Sequence, residues 1–380
     1  MKIKAIRSAG LVGDTPKGGW THELKPNDAI HALIAVHTDE RVIGHGSVFT
    51  DAPLVQKAIE FLEPLWTGET ALEPERVSEK LHQHTFWTGR GGTITNTISG
   101  IDIALWDILG KVTGQSVGRL LGGRVRERVQ PYASILMEIP DLMRERVATF
   151  KEQGYRAIKI GWGPFGRRDS FRLDEAIIRA ARDGAGPDVK LCVDAGGSDA
   201  YWPNGLKWAI RTAHMLKDYD AYWFEEALKP DALDDHVALR HVSSVPIAGG
   251  ECLTRRQTFL PWFVKGGFDI VQPDVTKVGG LSEQRKIAWL ANEFGIQYIG
   301  HGWNTAMGVA ADLQLASVFP TCDLVEYIGG SPYVDLITKG GFKLDKEGFL
   351  EIPNRPGLGI ELNEEALKRY TPNPSPLFRL

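Results

Sequence analysis

Polar residues stand at the ends of short apolar runs, one run after another, from Lys159 to Glu326. No other feature limits so tightly what the chain can fold into. Lys159 follows Arg156-Ala157-Ile158, Asp194 follows Leu191-Cys192-Val193, and Glu225 follows Tyr222-Trp223-Phe224. Glu251 follows the run from Pro246 to Gly250, and Asp274 closes Val271-Gln272-Pro273-Asp274. His301 follows Tyr298-Ile299-Gly300, and Glu326 follows Leu324-Val325. Successive members lie roughly 23 to 35 residues apart, about the length of one strand–loop–helix–loop unit. A parallel barrel of such units brings the C-terminal ends of its strands onto one face, where its chemistry is done. Residues distant in sequence would then share one cavity.

The chain ahead of this stretch has another pattern. Residues 2–9, 29–37 and 42–49 read as strands, with Asp39-Glu40-Arg41 as a polar turn between the last two. Helical spacing follows at 52–65, 75–86 and 96–113, where Ile98, Ile101, Leu105 and Ile108 share a face. An antiparallel sheet followed by helices is an α+β unit. Gly122-Gly123, before the charged run Arg124 to Arg128, marks its boundary. From 129 onward, eight strands are expected, near 129–135, 157–161, 189–195, 221–226, 245–250, 268–273, 296–300 and 323–327. Helices fit between them near 141–153, 173–183, 204–217, 232–242, 255–265, 282–294 and 305–317. The expected fold is therefore α/β: a modified (β/α)8 barrel of the TIM type over 124–355, with an α+β capping domain over 1–123. The proline-rich segment 356–380 is expected to pack back on the capping domain.

Composition narrows the partners. With 380 residues, two domains are the natural expectation. A net charge of -4 offers no basic surface for nucleic acid. No run of about 18 apolar residues suggests a membrane span, and Met1 to Arg7 alternates like a strand rather than a signal peptide. Cys192, Cys252 and Cys322 are too few and odd in number for a disulfide framework, which fits a reducing cytoplasm.

Asp194, Glu225 and Glu251 come from three consecutive expected strands, so their carboxylates can converge. Three hard oxygen ligands with open positions suit Mg²⁺ better than zinc. Any one of these acids alone reads as a solvated or Arg-paired carboxylate; three in a row, with His301 two units later, read as a site. Asp274 and His301 come from the next two strands. A carboxylate on one imidazole nitrogen fixes the tautomer and raises the basicity of the other, which makes a general base. Lys159 and Glu326 face the cavity from other sides. They can stabilise developing negative charge, Glu326 as a donor if protonated, or form a plain rim salt bridge.

This constellation resembles the enolase superfamily, most closely its mandelate racemase-like branch. The resemblance rests on Val193-Asp194-Ala195, Trp223-Phe224-Glu225-Glu226, Ala248-Gly249-Gly250-Glu251 and Gln272-Pro273-Asp274 with Gly279-Gly280. His301-Gly302-Trp303, Glu326 and the helix from Ser99 to Asp107 add to it. It implies that Asp194, Glu225 (rather than its neighbour Glu226) and Glu251 hold Mg²⁺, and that the chain forms a homo-oligomer. It also implies a capping domain whose loops near 11–23 and 46–52 shape the pocket. Trp20, His22, Phe49, Trp162 and Trp303 are candidates for substrate contact there. Racemases of this branch carry Lys-x-Lys on the second barrel strand, the second lysine serving as an opposed base. Here the run is Lys159-Ile160-Gly161. Desolvation lowers an ammonium pKa, which leaves Lys159 open as a substitute.

A single base at His301 suits dehydration better than racemisation. The expected activity is that of an Mg²⁺-dependent hydro-lyase acting on an aldonate or aldarate, an acid sugar, to give a 2-keto-3-deoxy acid. The alternatives are an isomerase (racemase, epimerase or lactone cycloisomerase) using the same metal and enediolate, and a non-catalytic carboxylate-binding barrel. Gly161-Trp162-Gly163-Pro164-Phe165-Gly166 matches a dinucleotide-binding pattern in form only, because Arg167 to Ser170 separates it from the next helix.

Overall fold

The computed structural model describes residues 1–12, 30–167, 170–196, 204–328 and 331–380. Trp20 and His22, and most of the first expected pocket loop, lie outside them. Three antiparallel strands, β1 (Ile3–Leu11), β2 (His31–Thr38) and β3 (Ile43–Phe49), form a meander in chain order. Helices α1 (Ala52–Trp66), α2 (Pro74–His84) and α3 (Gly92–Thr113) cover it. α3 lies so close on β3 that a Cβ at Gly44 or Gly46 would stand 2.0 Å from the carbonyl oxygen of Ala104 or Gly100. Only glycine allows that approach. After the four-residue α4 (Val117–Leu120) the chain enters the barrel.

Eight parallel strands build it: β4 (Arg128–Leu136), β5 (Ala157–Gly161), β6 (Lys190–Asp194), β7 (Ala221–Glu225), β8 (Ile247–Gly249), β9 (Ile270–Val271), β10 (Gln297–Tyr298) and β11 (Leu324–Ile328). They pair in chain order, and β11 returns to lie parallel beside β4, so the sheet curls round on itself. Between β10 and β11 no ladder is present among the described residues. Seven helices connect the strands: α5 (Pro140–Glu152), α6 (Phe171–Ala185), α7 (Leu206–Asp218), α8 (Leu233–Val242), α9 (Arg255–Lys265), α10 (Leu281–Glu293) and α11 (Ala306–Ala316). After the eighth strand comes only the four-residue α12 (Pro332–Asp335), and β12 (Leu350–Glu351) then pairs antiparallel with β4. No helix among the described residues is long and apolar enough to cross a membrane.

The barrel interior is layered. Tyr132, Ala157, Cys192, Trp223, Ala248, Ile270, Ile299 and Leu324, one from each strand or its end, form one buried cluster. Side chains along a strand alternate faces, so the residue two places further points the same way. Those residues are Ser134, Lys159, Asp194, Glu225, Gly250, Gln272, His301 and Glu326. An apolar floor thus carries a polar layer at the strand ends.

Contacts to the barrel and to the C-terminal segment both hold the cap in place. On α3, Ser99 Oγ accepts from Gly279 N (2.8 Å), Asp102 Oδ2 accepts from Ser282 N (2.9 Å), and Trp106 Nε1 donates to Ser282 Oγ (2.9 Å). The turn they grip needs positive φ at Gly279 (119°) and Gly280 (82°), which explains its glycine pair. At the chain's far end, Pro376 O lies 2.8 Å from His37 Nε2 and Leu377 O 2.9 Å from His45 Nε2. Tyr370 O also accepts from Val12 N at 2.8 Å.

Candidate active site

His301 is the hub of the polar layer. Its Nδ1 lies 2.6 Å from Asp274 Oδ2, and its Nε2 lies 2.8 Å from Glu251 Oε2 and 3.8 Å from Glu326 Oε2. Asp274 is itself fixed, because Oδ1 accepts from Thr276 N (2.7 Å) and Thr276 Oγ1 (2.6 Å). Burial pushes the imidazole towards neutrality, but the charges of Glu251 and Glu326 and the bond to Asp274 outweigh it and hold the pKa well above the usual range.

Lys159 occupies the other side. Its Nζ lies 2.7 Å from Glu225 Oε1, 3.1 Å from Glu326 Oε1 and 3.5 Å from Asp194 Oδ2. Burial alone would push this ammonium down, as expected of a substitute base, yet Glu225 and Glu326 reverse the sign and raise its pKa well above normal. The ammonium form is thus the one these neighbours favour. For Glu326, burial works upward, but Lys159, His301 and the Gly302 N–H together keep the carboxyl below its usual range. Its Oε2 accepts from Gly302 N at 2.7 Å.

The three expected metal ligands all reach the interior, each with its own partners. Glu225, fully buried, accepts through Oε2 from Trp223 Nε1 (2.8 Å) and Gln272 Nε2 (2.9 Å). Asp194 Oδ1 accepts from Gly196 N at 2.7 Å, and burial together with the Glu225 charge pushes its pKa up to about 8. Glu251 holds His301, and Lys277 Nζ lies 3.5 Å from its Oε1. Among the described residues, the group whose ligand atoms lie within 4.8 Å of one another is Glu226, Glu251 and Cys252, not Asp194, Glu225 and Glu251. Even so, the donor chemistry of Asp194, Glu225 and Glu251 fits a hard divalent cation: all oxygen, all buried, on consecutive strands, with like charges close enough to raise Asp194. Lys159 and His301 hold Glu225 and Glu251 by the positive charge such an ion would bring.

A narrow cleft opens over this layer, lined by Phe49, Ser134, Ile135, Leu136, Lys159, Gly161, Trp162, Asp194, Glu251, Lys277, His301 and Trp303. Phe49 from the cap, and Trp162 and Trp303 from the barrel, therefore meet where sequence placed substrate contacts. At Gly161, where the racemase pattern has its second lysine, a Cβ would stand 3.0 Å from Asp194 Oδ2. A side chain there would press on the Asp194 carboxylate.

Lys277 escaped the sequence reading. It sits 3.7 Å from Asp274 Oδ2 and 4.4 Å from the centroid of the Phe49 ring, joining cap to barrel across the pocket. Its one signal was position, three residues after Asp274 and just before Gly279-Gly280, which does not separate it from a solvated loop lysine. Glu226 and Cys252 were equally silent, since their meeting depends on the turn that puts Glu226 at φ 46°.

Comparison with known proteins agrees with this architecture. Residues 26–122 match the family model described as the mandelate racemase / muconate lactonizing enzyme N-terminal domain, and residues 142–366 match the enolase C-terminal domain-like model. The chain is 31% identical to D-galactarolactone cycloisomerase of Agrobacterium fabrum, covering 97% of this chain and 99% of that protein. It is 29% identical to D-xylonate dehydratase of Haloferax volcanii, over 91% of this chain and 86% of the relative. Among solved structures, the 3,6-anhydro-D-galactonate cycloisomerase of Zobellia galactanivorans superposes with a TM-score of 0.87 at 30% identity, covering 98% of this chain and 99% of that one. Two-domain architecture, polar barrel layer and family models agree: the chain belongs to the mandelate racemase/muconate lactonizing enzyme family of the enolase superfamily.

Proposed function

We propose that the protein removes the proton α to the carboxylate of an acid sugar and expels the oxygen on the adjacent β-carbon, giving a 2-keto-3-deoxy acid. The observation that carries this reading is the His301–Asp274 pair, 2.6 Å apart, with Nε2 turned into the acid-lined cleft. Asp274 accepts from Nδ1–H, so Nε2 is the atom that takes the proton. With no side chain at Gly161, the residues provide one base rather than two opposed ones, which favours elimination over racemisation.

Asp194, Glu225 and Glu251 are the residues that would hold Mg²⁺. When bound, the ion supplies Lewis acidity that lowers the cost of negative charge on the substrate carboxylate. With Glu251 engaged as a ligand, His301 Nε2 is left for the α-proton. Lys159 contributes a fixed positive charge beside the developing enediolate, and Glu326 anchors the His301–Gly302 turn through Gly302 N. Trp162, Trp303 and Phe49 keep water from the face away from the base.

Where the departing oxygen is a free hydroxyl, the outcome is dehydration, the reaction for which several relatives are named. Where it is a ring oxygen, the ring opens without loss of water and the outcome is an isomerisation. This second reading is favoured by the full-length similarity to two proteins named as cycloisomerases. The test is a screen of the purified protein with Mg²⁺ against open-chain and ring-form acid sugars in D₂O. Deuterium at C3 of a semicarbazide-reactive 2-keto acid is expected, with deuterium at the α-carbon of recovered substrate wherever proton removal reverses before elimination. Absence of both from every acid sugar would overturn the reading.

A further inference from the structure

Glu251, His301, Asp274 and Lys277 close a ring of contacts around the base. Glu251 Oε2 lies 2.8 Å from His301 Nε2, and Asp274 Oδ2 lies 2.6 Å from Nδ1. Lys277 Nζ completes the ring, 3.5 Å from Glu251 Oε1 and 3.7 Å from Asp274 Oδ2. One helical turn brings the lysine there: after β9, Lys277 N and Val278 N both donate to Asp274 O, at 2.9 and 3.0 Å. A long side chain loses rotamer freedom when held between two acids, so its placement needs support. Phe49 supplies it, with its ring centroid 4.4 Å from the ammonium. Among the described residues that line the cleft, Phe49 is the one from the cap. The other aromatic pair over the cleft, Trp162 and Trp303, stacks at 6.4 Å and 13° within the barrel. Phe49 is itself fixed. His31 meets its ring edge-on at 5.1 Å, and Tyr333 of α12 lies 6.0 Å from His31. Two residues before Phe49, Ser47 Oγ accepts from Thr305 Oγ1 at 2.9 Å.

We infer that Lys277 is a positioning residue through which the cap aims the base. Phe49 pins the ammonium, and the ammonium holds the two carboxylates that orient the imidazole. The inference rests on the elimination reading above and adds the route by which the cap reaches His301. Two carboxylates on one imidazole repel each other, and a cation shared between them offsets that repulsion. Asp274 and Phe49 touch the ammonium independently of Glu251, so the alignment does not depend on Glu251 alone. Geometry sets the scale, because misplacing a reacting group by about 1 Å can cost on the order of a hundredfold in rate. A lysine that instead gripped a substrate oxygen would act on binding. One that aims the base acts on the chemical step, and the two leave different kinetic marks.

The experiment is a double-mutant cycle on the full chain with Mg²⁺, using the acid sugar that takes up deuterium in the D₂O screen. Lys277→Met should lower kcat about tenfold or more while KM moves less than about threefold, with α-proton exchange falling in step. Lys277→Arg keeps the cation and should recover most of the loss. Phe49→Leu should lower kcat about threefold alone and add nothing in the Lys277→Met background. The same set is unfolded in urea with a chelator, where Phe49 and Lys277 should be coupled by about threefold in the unfolding constant. Multiplicative effects on kcat, a loss that falls on KM, or Lys277→Met within about twofold of the parent kcat would overturn the inference. Should Lys277→Met not fold, Phe49→Leu decides alone, and an unchanged kcat removes the cap from the route. A parent that exchanges no α-proton with any acid sugar sinks the elimination reading instead. The urea cycle then tests the Phe49–Lys277 link by itself, and absence of coupling there sinks it.

Discussion

Histidine carries opposite charge preferences in the two halves of this molecule. In the cap, burial pushes His31 and His45 down to about 4 and His82 down to about 3. In the barrel, His301 is as deeply buried and its pKa moves up. Burial has the same sign in both places. The difference lies in the neighbours: Glu251, Glu326 and Asp274 crowd His301, whereas Arg255 and Arg256 face His82, and Lys111 outweighs Asp107 beside His45. The lesson is that burial lowers an imidazole unless several carboxylates crowd it: Asp274 alone does not offset burial at His31, whereas Glu251, Glu326 and Asp274 together do so at His301.

The largest expected effect comes from removing the barrel histidine. His301→Asn should lower turnover by roughly 10²–10⁴-fold and abolish α-deuterium exchange. Surviving exchange would remove His301 from its role. Next is Lys159→Met, which leaves Glu225, Glu326 and Asp194 without their shared ammonium. Stripping one partner from a buried ion cluster costs about 3–5 kcal/mol, to be read from urea unfolding in the presence of a chelator. Stability within about 1 kcal/mol of the parent would show that Lys159 is not the balancing charge.

A smaller effect tests the cap. Its histidines have folded pKa values below the ordinary 6.5, so the stability they contribute is present above pH 6.5 and drains away as pH falls towards about 4. His82, whose Nε2 has no hydrogen-bond partner, is the cleanest probe. His82→Leu should flatten that acid limb, by about 1–3 kcal/mol at pH 4, with kcat/KM at neutral pH unchanged. An unaltered limb would mean that other groups carry it. A comparable effect runs the other way. Burial raises Asp102 to about 7 from 3.8, so its contribution is present below pH 4 and lost as pH rises through 7. Asp102→Asn should remove a stability change on the order of 3–4 kcal/mol over that interval in urea melts. An unchanged slope would show Asp102 to be ionised in the fold throughout.

Much of this was legible in the sequence, for a definite reason. The strand expected at 157–161 is Ala157–Gly161, and the eight-strand order follows from apolar runs whose period of two also sets the polar layer. Lys159, Asp194, Glu225, His301 and Glu326 could be read because each stands two places beyond a floor residue. Where the signal was conformational, it was absent. α3 begins at Gly92, four residues before its apolar spacing begins, because Gly91-Gly92-Thr93 holds no side-chain cap. The protonation states of Lys159 and Glu326 depend on distances no spacing encodes, and the Trp162–Trp303 stack depends on two loops meeting across the barrel.

The grip of Pro376 and Leu377 on His37 and His45 sets a clock. The partners Pro376 and His37 are 339 residues apart. At about 5–20 residues per second, a ribosome that has made His37 needs roughly 20–70 s to reach Pro376. Throughout that interval two imidazoles of the meander wait for carbonyls not yet made. These two cap contacts can therefore close only after the barrel strands have been translated. A ribosome stalled late in the message would hold a molecule with a translated barrel and both contacts still open.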